Sequence, residues 1–393
     1  MKPRTVAILW IIAIILGLAA YFVKFHSREE NRNQTALSPG DLILPDLPIR
    51  DLTQVRLHQG NETTTLVRGD NNLWTVAERN HYPANHELLR NLLGSLGSVK
   101  VTQGFACQRQ HYGRFGLSSE SNDSADLGLQ VSMFDSKKQA IAEAYLGKFS
   151  GTSQSSAGRF IRIGGDDSGI YAVGETFPGI YADAPMWLDK QFISLGNIES
   201  VSLSAPDNPA FIPWQVKRAS VEVKDQFKLV GMTDQEIMKL TSTSAFRSLF
   251  SYTSFQDVLS PTEAKKTANP NAKLKRQAVV KTFDGITYTL TFWPQNQKDQ
   301  PAPDPESPLP PAQAAYLMTI SVSANLAETR AKAIGETPEE TDQNDAAFKA
   351  RQELLKQHLA LTKTFQGRIY QIGHTMLAPL QKTRDDFVRS TQP

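Results

Sequence analysis

Residues 5–23 (TVAILWIIAIILGLAAYFV) carry no charge over nineteen positions. As a helix rising roughly 1.5 Å per residue this run extends about 28 Å, the depth of a bilayer's hydrocarbon core, so residues 1–24 are predicted to form one transmembrane anchor. Lys2 and Arg4 precede it, which places the N-terminus in the cytoplasm and the bulk of the chain in the periplasm; Lys24 and Arg28 weaken the asymmetry. A cleaved signal peptide is the competing reading, with Gly17-Leu18-Ala19-Ala20 as its cleavage site. Tyr21-Phe22-Val23 prolong the apolar run past that site and favour an uncleaved anchor in the inner membrane.

Residues 25–50 are polar and then punctuated by Pro39, Pro45 and Pro48, the pattern of a tether. Beyond them the hydrophobic period changes repeatedly. Val55 and Leu57 alternate with polar residues, and Asn71-Asn72 turn the chain into Leu73-Trp74-Thr75-Val76, a hairpin pattern. Leu88, Leu89, Leu92, Leu93 and Leu96 share one helical face. Leu127, Leu129, Val131 and Met133 alternate as a strand, and Ile161 and Ile163 lead through Asp166-Asp167-Ser168-Gly169 into Ile170-Tyr171-Ala172-Val173, a second hairpin.

The same order returns further on. Pro213-Trp214-Gln215-Val216 echoes Leu73-Trp74-Thr75-Val76, and Thr233-Asp234-Gln235-Glu236 has the spacing that opens a helix carrying Ile237, Leu240 and Leu249. Val279 to Phe283 turn at Asp284-Gly285, a type I′ signal, into Ile286, Tyr288, Leu290 and Phe292; Phe134-Asp135 is the earlier counterpart. Gly367-Arg368-Ile369 echoes Gly158-Arg159-Phe160. The fold expected is α+β: a transmembrane helix and tether, then two related sheet-plus-helix halves, 51–196 and 197–393, with mostly antiparallel strands. Two stretches have no earlier counterpart, the proline-rich 299–313 and a charged helix near 345–363, and both read as insertions. Chance similarity between two sheet-and-helix segments is the alternative.

Composition narrows the function classes. The 42 Lys and Arg balance 40 Asp and Glu, so no cationic surplus is offered to nucleic acid. Cys107 is the single cysteine, a half-buried small hydrophobe rather than half of a disulfide. His81, His86 and His111 come nearest to a metal cluster, but Pro83 interrupts the first two and no thiol or glutamate completes a pattern, so no metal is assigned. Residues 166–169 read as a turn and not as a calcium loop. Glu339-Glu340 and Asp385-Asp386 lie in polar, solvated stretches, and Gly164-Gly165 precedes acids that would repel a phosphate. There is no Gly-x-Ser-x-Gly elbow, no Ser-x-x-Lys with its later signature triplets, no Walker loop and no His-Glu-x-x-His, and no catalytic residue and no cofactor are expected.

Trp74-Thr75-Val76, Tyr82-Pro83-Ala84-Asn85, the leucine-rich helix, Tyr112-Gly113-Arg114-Phe115-Gly116-Leu117 and the strand through Ile163-Gly164 into Tyr171 resemble bacterial single-span proteins carrying domain of unknown function 4340. Arg114-Phe115 departs from that family's compact Tyr-Gly-Leu. The resemblance implies a companion of ABC-type exporters of the gliding kind, with a permease and an auxiliary subunit as partners, and carries over no catalytic residue. A non-catalytic, membrane-anchored periplasmic accessory protein is the function expected. An envelope scaffold or surface-assembly factor, or an anchored hydrolase, is the alternative. The proline-rich 299–313 reads first as a solvated hairpin loop and the stripe Phe348, Leu355, Leu359 and Thr362 as packing against its own sheet; a polyproline II contact segment and, if the stripe is exposed, a docking helix are the alternatives.

Overall fold

The computed structural model describes Leu16 and residues 35–151, 158–222, 224–251, 253–267, 272–295 and 315–390. The anchor at 1–24, apart from Leu16, and the proline-rich 299–313 lie outside the described residues. Among the described residues no helix is long and apolar enough to cross a membrane.

The fold is α+β and divides into two compact units, Met1–Asp189 and Lys190–Pro393, seven residues ahead of the expected boundary at 196/197. The first unit contains β1 (Gln54–Gln59), β2 (Glu62–Arg68), β3 (Trp74–Val76), β4 (Tyr82–Pro83), α1 (His86–Ser98), β5 (Val101–Phe105), β6 (Leu129–Phe134), β7 (Ala140–Phe149), β8 (Arg159–Ile163) and β9 (Ile170–Val173). Its nine strands lie in the order β4-β3-β2-β1-β6-β7-β8-β9-β5, and every ladder is antiparallel. Period-2 burial explains the sheet: Val55, Leu57, Leu66, Val131, Met133, Leu146 and Ile161 are all buried. The Asn85 side chain accepts from Leu88 N at 3.0 Å and caps α1, which buries Leu89, Leu92, Leu93 and Leu96.

Two expectations for this unit change. The hairpin from Val55 to Trp74 contains an extra strand, β2, whose Glu-Thr-Thr-Thr opening is too polar to show an apolar period. The expected tether also ends early. Gly40 N and Ile43 N donate to Val101 O and Val99 O at 2.8 and 3.1 Å, and Ile43 and Leu44 are buried, so the later part of 25–50 belongs to the body.

The second unit contains β10 (Ile198–Ser204), β11 (Trp214–Lys217), β12 (Lys228–Leu229), β13 (Glu236–Met238), β14 (Asp257–Val258), α2 (Pro261–Lys266), β15 (Arg276–Thr282), β16 (Ile286–Pro294), β17 (Ala315–Ala324), α3 (Pro338–Lys363), β18 (Tyr370–Gly373), α4 (His374–Leu377) and β19 (Val388–Ser390). The main sheet runs β12-β11-β10-β15-β16-β17-β18-β14, again wholly antiparallel, and β13 pairs with β19. Place for place this is the order β3-β2-β1-β6-β7-β8-β9-β5 of the first unit. The Phe134-Asp135 and Phe283-Asp284 pairs close equivalent hairpins.

The other two echoes fail. Trp74 lies on β3 whereas Trp214 lies on β11, in the place of β2. Arg159 opens β8, but Arg368 precedes β18, in the place of β9; Ile170-Tyr171 and Ile369-Tyr370 are the residues that correspond. Residues 296–314 fall between β16 and β17 and α3 falls between β17 and β18, so a hairpin in one unit is a long excursion in the other.

Local geometry corrects three more details. Only Gly285 in Phe283-Asp284-Gly285 has positive φ, at 82°, so the loop has three residues with a glycine closing it and is not the type I′ turn expected. Thr233 N does bond Glu236 Oε2 at 2.8 Å, yet the chain then enters β13, and a 3-10 helix follows at Leu240–Ser248. The expected helix near 345–363 starts earlier, at Pro338, where Thr337 and Glu340 form a capping box. It packs over the sheet through His358 Nε2, 3.0 Å from Tyr288 Oη, and through Arg351 on Asp284.

Candidate functional site

Antiparallel register places His58 opposite Gln130, Gln130 opposite Tyr145, and Tyr145 opposite Arg162, a row of polar and aromatic side chains crossing β1, β6, β7 and β8 on one face. One end of this row is covered by the 3-10 helix Arg109–Phe115, which contains the Tyr112-Gly113-Arg114-Phe115 motif. The helix stops at Gly116, whose φ of 64° is left-handed, and Leu117 N then bonds Tyr112 O at 3.0 Å. Gly147 on β7 lets this segment approach, since a Cβ there would stand 2.4 Å from Phe115 O.

The Arg162 guanidinium lies 3.5 Å from the Tyr145 ring centre and 5.2 Å from that of Tyr112. A flat delocalised cation between two rings is the arrangement that guanidinium, and not ammonium, makes well. Arg162 Nε and Tyr112 Oη are buried without a hydrogen-bond partner. Phe105, Phe115 and Phe160 pack alongside, with ring centres 4.9 to 6.3 Å apart. Outside, Arg109 donates to both Asp167 oxygens at 2.8 and 2.6 Å, an exposed pair worth little by itself.

The protonation states follow from burial. Desolvation pushes the Tyr112 hydroxyl above its ordinary value, and desolvation with the Glu143 carboxylate does the same to Tyr145. Burial likewise raises the Cys107 thiol, the opposite of what a reactive thiolate needs. Burial pulls Arg159 down to about 10, while its Nε still donates to Gly147 O at 2.8 Å. At neutral pH the cluster is thus a fixed cation among protonated phenols, suited to holding a shape or an electron-rich group rather than to moving protons. At the other end of the row, His58, Asn61, Glu120 and Asn122 border a shallow open cleft of about 470 Å³.

The three histidines considered from sequence do not converge. His81 faces Thr75 at 3.3 Å, His86 begins α1, and His111 sits in the 3-10 helix beside Gln110. Among the described residues no three His, Cys, Asp or Glu side chains are placed to hold a metal ion. Asp166 forms a turn, accepting from Ser168 N at 2.8 Å. Glu340 and Asp386 serve as capping partners of Thr337 and Thr383.

Over residues 74–279 the sequence matches the family described as Domain of unknown function (DUF4340). The chain belongs to this family. The matched stretch takes in α1, the Tyr112 motif and the Arg162 stack, and runs on into β15 of the second unit. No curated protein and no solved structure matches. Sequence reasoning singled out the Tyr112 motif but not Arg162 or Tyr145, because only strand register brings those two together.

Proposed function

We propose that this family member acts by binding, as a membrane-anchored periplasmic accessory protein of an ABC-type transport complex. The charge-free run 5–23 supports the anchor, and the company implied by the family resemblance supports the transport setting. The shared strand order of the two sheets supports an ectodomain built by duplication and then elaborated in its second unit.

One observation carries the binding role. The element inserted between β17 and β18 leaves Leu354 and Leu361 of α3 66% and 58% exposed, and Ile334 in the loop before it fully exposed. That loop is fixed, because Arg330 pairs with Glu336 at 2.6 Å and with Asp345. Leu354 and Leu361 lie seven residues apart on one face of α3, and apolar side chains exposed together on an added element fit a docking surface better than a packing role. The anchor confines this surface near a permease and raises its effective concentration there.

Mild-detergent purification of the tagged protein from its native membrane tests the proposal. Recovery of a permease or its auxiliary subunit is the expected result, and a solitary protein that turns over a peptide or glycan would overturn it. A periplasm-dependent reporter fused after Pro393 is expected to be active.

A further inference from the structure

Because the two sheets share a strand order, their ends can be compared place by place. In the first unit β1 turns into β2 through Gly60-Asn61 alone, and the chain entering β6, residues 118–128, carries Glu120, Asp123 and Asp126 and no base. In the second unit the equivalent turn, from β10 to β11, is the loop 205–213, with Asp207 as its one acid. The chain entering β15 carries Lys265, Lys266, Lys273, Lys275 and Arg276, with no acid from 264 to 276. One place in the topology has thus changed from acidic to basic.

Polar contacts fasten the loop 205–213 to the lead-in of β15. Asn208 Nδ2 donates to Lys273 O at 3.2 Å, and the Arg276 guanidinium lies 4.6 Å from the Phe211 ring centre while its Nη1 donates to Lys273 O and Lys275 O at 2.8 and 3.0 Å. Ala210 N donates to Asn208 Oδ1 at 3.2 Å, and Pro209 and Pro213 stiffen the loop on either side of its tip. The joined segments hold Ile212 62% and Leu274 48% exposed. α2 brings the exposed Lys265 and Lys266 to the same end, since its Ala264 packs against Leu259, Trp293 and Leu317, and Trp293 follows Phe292, the partner of Arg276.

A single exposed apolar side chain is ordinary on a protein surface. Two on one fastened tip, bordered by five cations, suit a ligand that is anionic at its surface and apolar just beneath. Aliphatic side chains can enter the headgroup layer of a bilayer while the long lysine stems carry their charges to the phosphates. Nucleic acid would neutralise the same cations but leave Ile212 and Leu274 in water.

We propose that this end of the second sheet, residues 206–213 with 273–276 and the two lysines of α2, is a peripheral contact for a bilayer containing anionic phospholipid. The contact is additional to the docking surface on α3, and it rests on the membrane-anchor reading only in that the anchor sets a bilayer nearby.

The test uses the full chain with Cys107→Ser and a polarity-sensitive dye on Ile212→Cys, in phosphatidylcholine vesicles and in vesicles with about one third phosphatidylglycerol. With the anionic lipid the emission should move to shorter wavelength, and quenching by brominated lipid should rise about threefold. Salt raised to about 0.5 M should remove both effects, and so should Lys265→Gln with Lys266→Gln and Lys273→Gln. All three lysines are exposed, so thermal unfolding of that variant should match the parent. Equal emission and quenching in the two kinds of vesicle overturn the contact, as does a dye response to heparin that anionic vesicles fail to produce. Flotation with phosphatidylcholine vesicles reads the anchor separately: its failure overturns the anchor reading and leaves the dye response in anionic vesicles to decide the contact.

Discussion

Tyr171 and Tyr370 stand at the same point of the two sheets. Each is fully buried on the strand beside the one that closes the sheet, and each hydroxyl donates to an oxygen five residues earlier, the Asp166 carboxylate and the Phe365 carbonyl. Neither tyrosine could be matched to the other from flanking glycines and arginines; the strand order matches them.

Their acceptors differ, and the two removals should differ accordingly. Tyr370→Phe is expected to cost about 0.5–1.5 kcal/mol and Tyr171→Phe about 1.5–3 kcal/mol, because the second leaves a carboxylate short of a donor. Burial pushes the Asp166 carboxyl up, but the bonds from Ser168 and Tyr171 outweigh it and hold it below the ordinary range. A depressed folded value stabilises above the unfolded value near about 3.9 and is lost as pH falls through the folded one. The gap between wild type and Tyr171→Phe in urea midpoint should therefore be full at pH 7 and shrink in acid below that range.

Glu236 is held at about 2, chiefly by the Arg384 guanidinium and then by Thr233 N. Its contribution is complete above its ordinary range near 4.5 and disappears toward pH 2. Arg384→Met should return Glu236 toward the ordinary range, so that pairing of β13 with β19 is lost at a higher pH. Exchange of the Lys239 amide, which donates to Phe387 O at 2.7 Å, reads this directly when followed against pH.

Two glycines should respond in opposite directions. Gly94 is inside α1 with nothing near its missing Cβ, and Gly94→Ala is expected to stabilise the first unit by about 0.5–1 kcal/mol. A Cβ at Gly158 would lie 1.8 Å from Val173 O, so Gly158→Ala must displace backbone and should destabilise the unit. Thermal unfolding of the two variants side by side checks the signs.

Arg162→Lys keeps the charge and loses the flat stack. We expect a loss of about 1 kcal/mol in urea unfolding and a change in tyrosine near-ultraviolet circular dichroism from the altered setting of Tyr112 and Tyr145. An unchanged spectrum would show that the stack does not set those rings.

Leu354→Gln with Leu361→Gln should leave thermal unfolding within about 0.5 kcal/mol of the parent, since both side chains are exposed and glutamine keeps the helix propensity of leucine. Recovery of the permease or auxiliary subunit in mild detergent should fall severalfold. Unreduced recovery places the contact elsewhere on the chain.

Elements with a clean period were legible in the sequence. The alternation from Ile286 to Phe292 and the leucine spacing in α1 each follow from burial on one side only. β2 escaped because Thr64, though buried, is polar and is held by its bond to Ala182 O at 2.5 Å. The tryptophan echo misled because a large ring is welcome at many places in a half-buried sheet, so identity of residue type did not fix identity of strand. The Arg162 stack had no linear signal at all, because its two rings lie 17 and 50 residues upstream and meet only through register and a 3-10 helix.

The long excursion between β17 and β18 has a kinetic side. The last strand to join each main sheet pairs with one made much earlier: Val101 waits for Val173, and Asp257 waits for Gln371. Lengthening that closure by about half costs only about 0.4 kcal/mol of chain entropy, so a whole helix could enter the second unit at little expense to its equilibrium. Order of synthesis is affected far more. The first unit can complete its sheet before the second is made, whereas the second must keep β14 unpaired through β15, β16, β17 and α3 until β18 emerges, which makes its nascent edge a segment dependent on protection during folding.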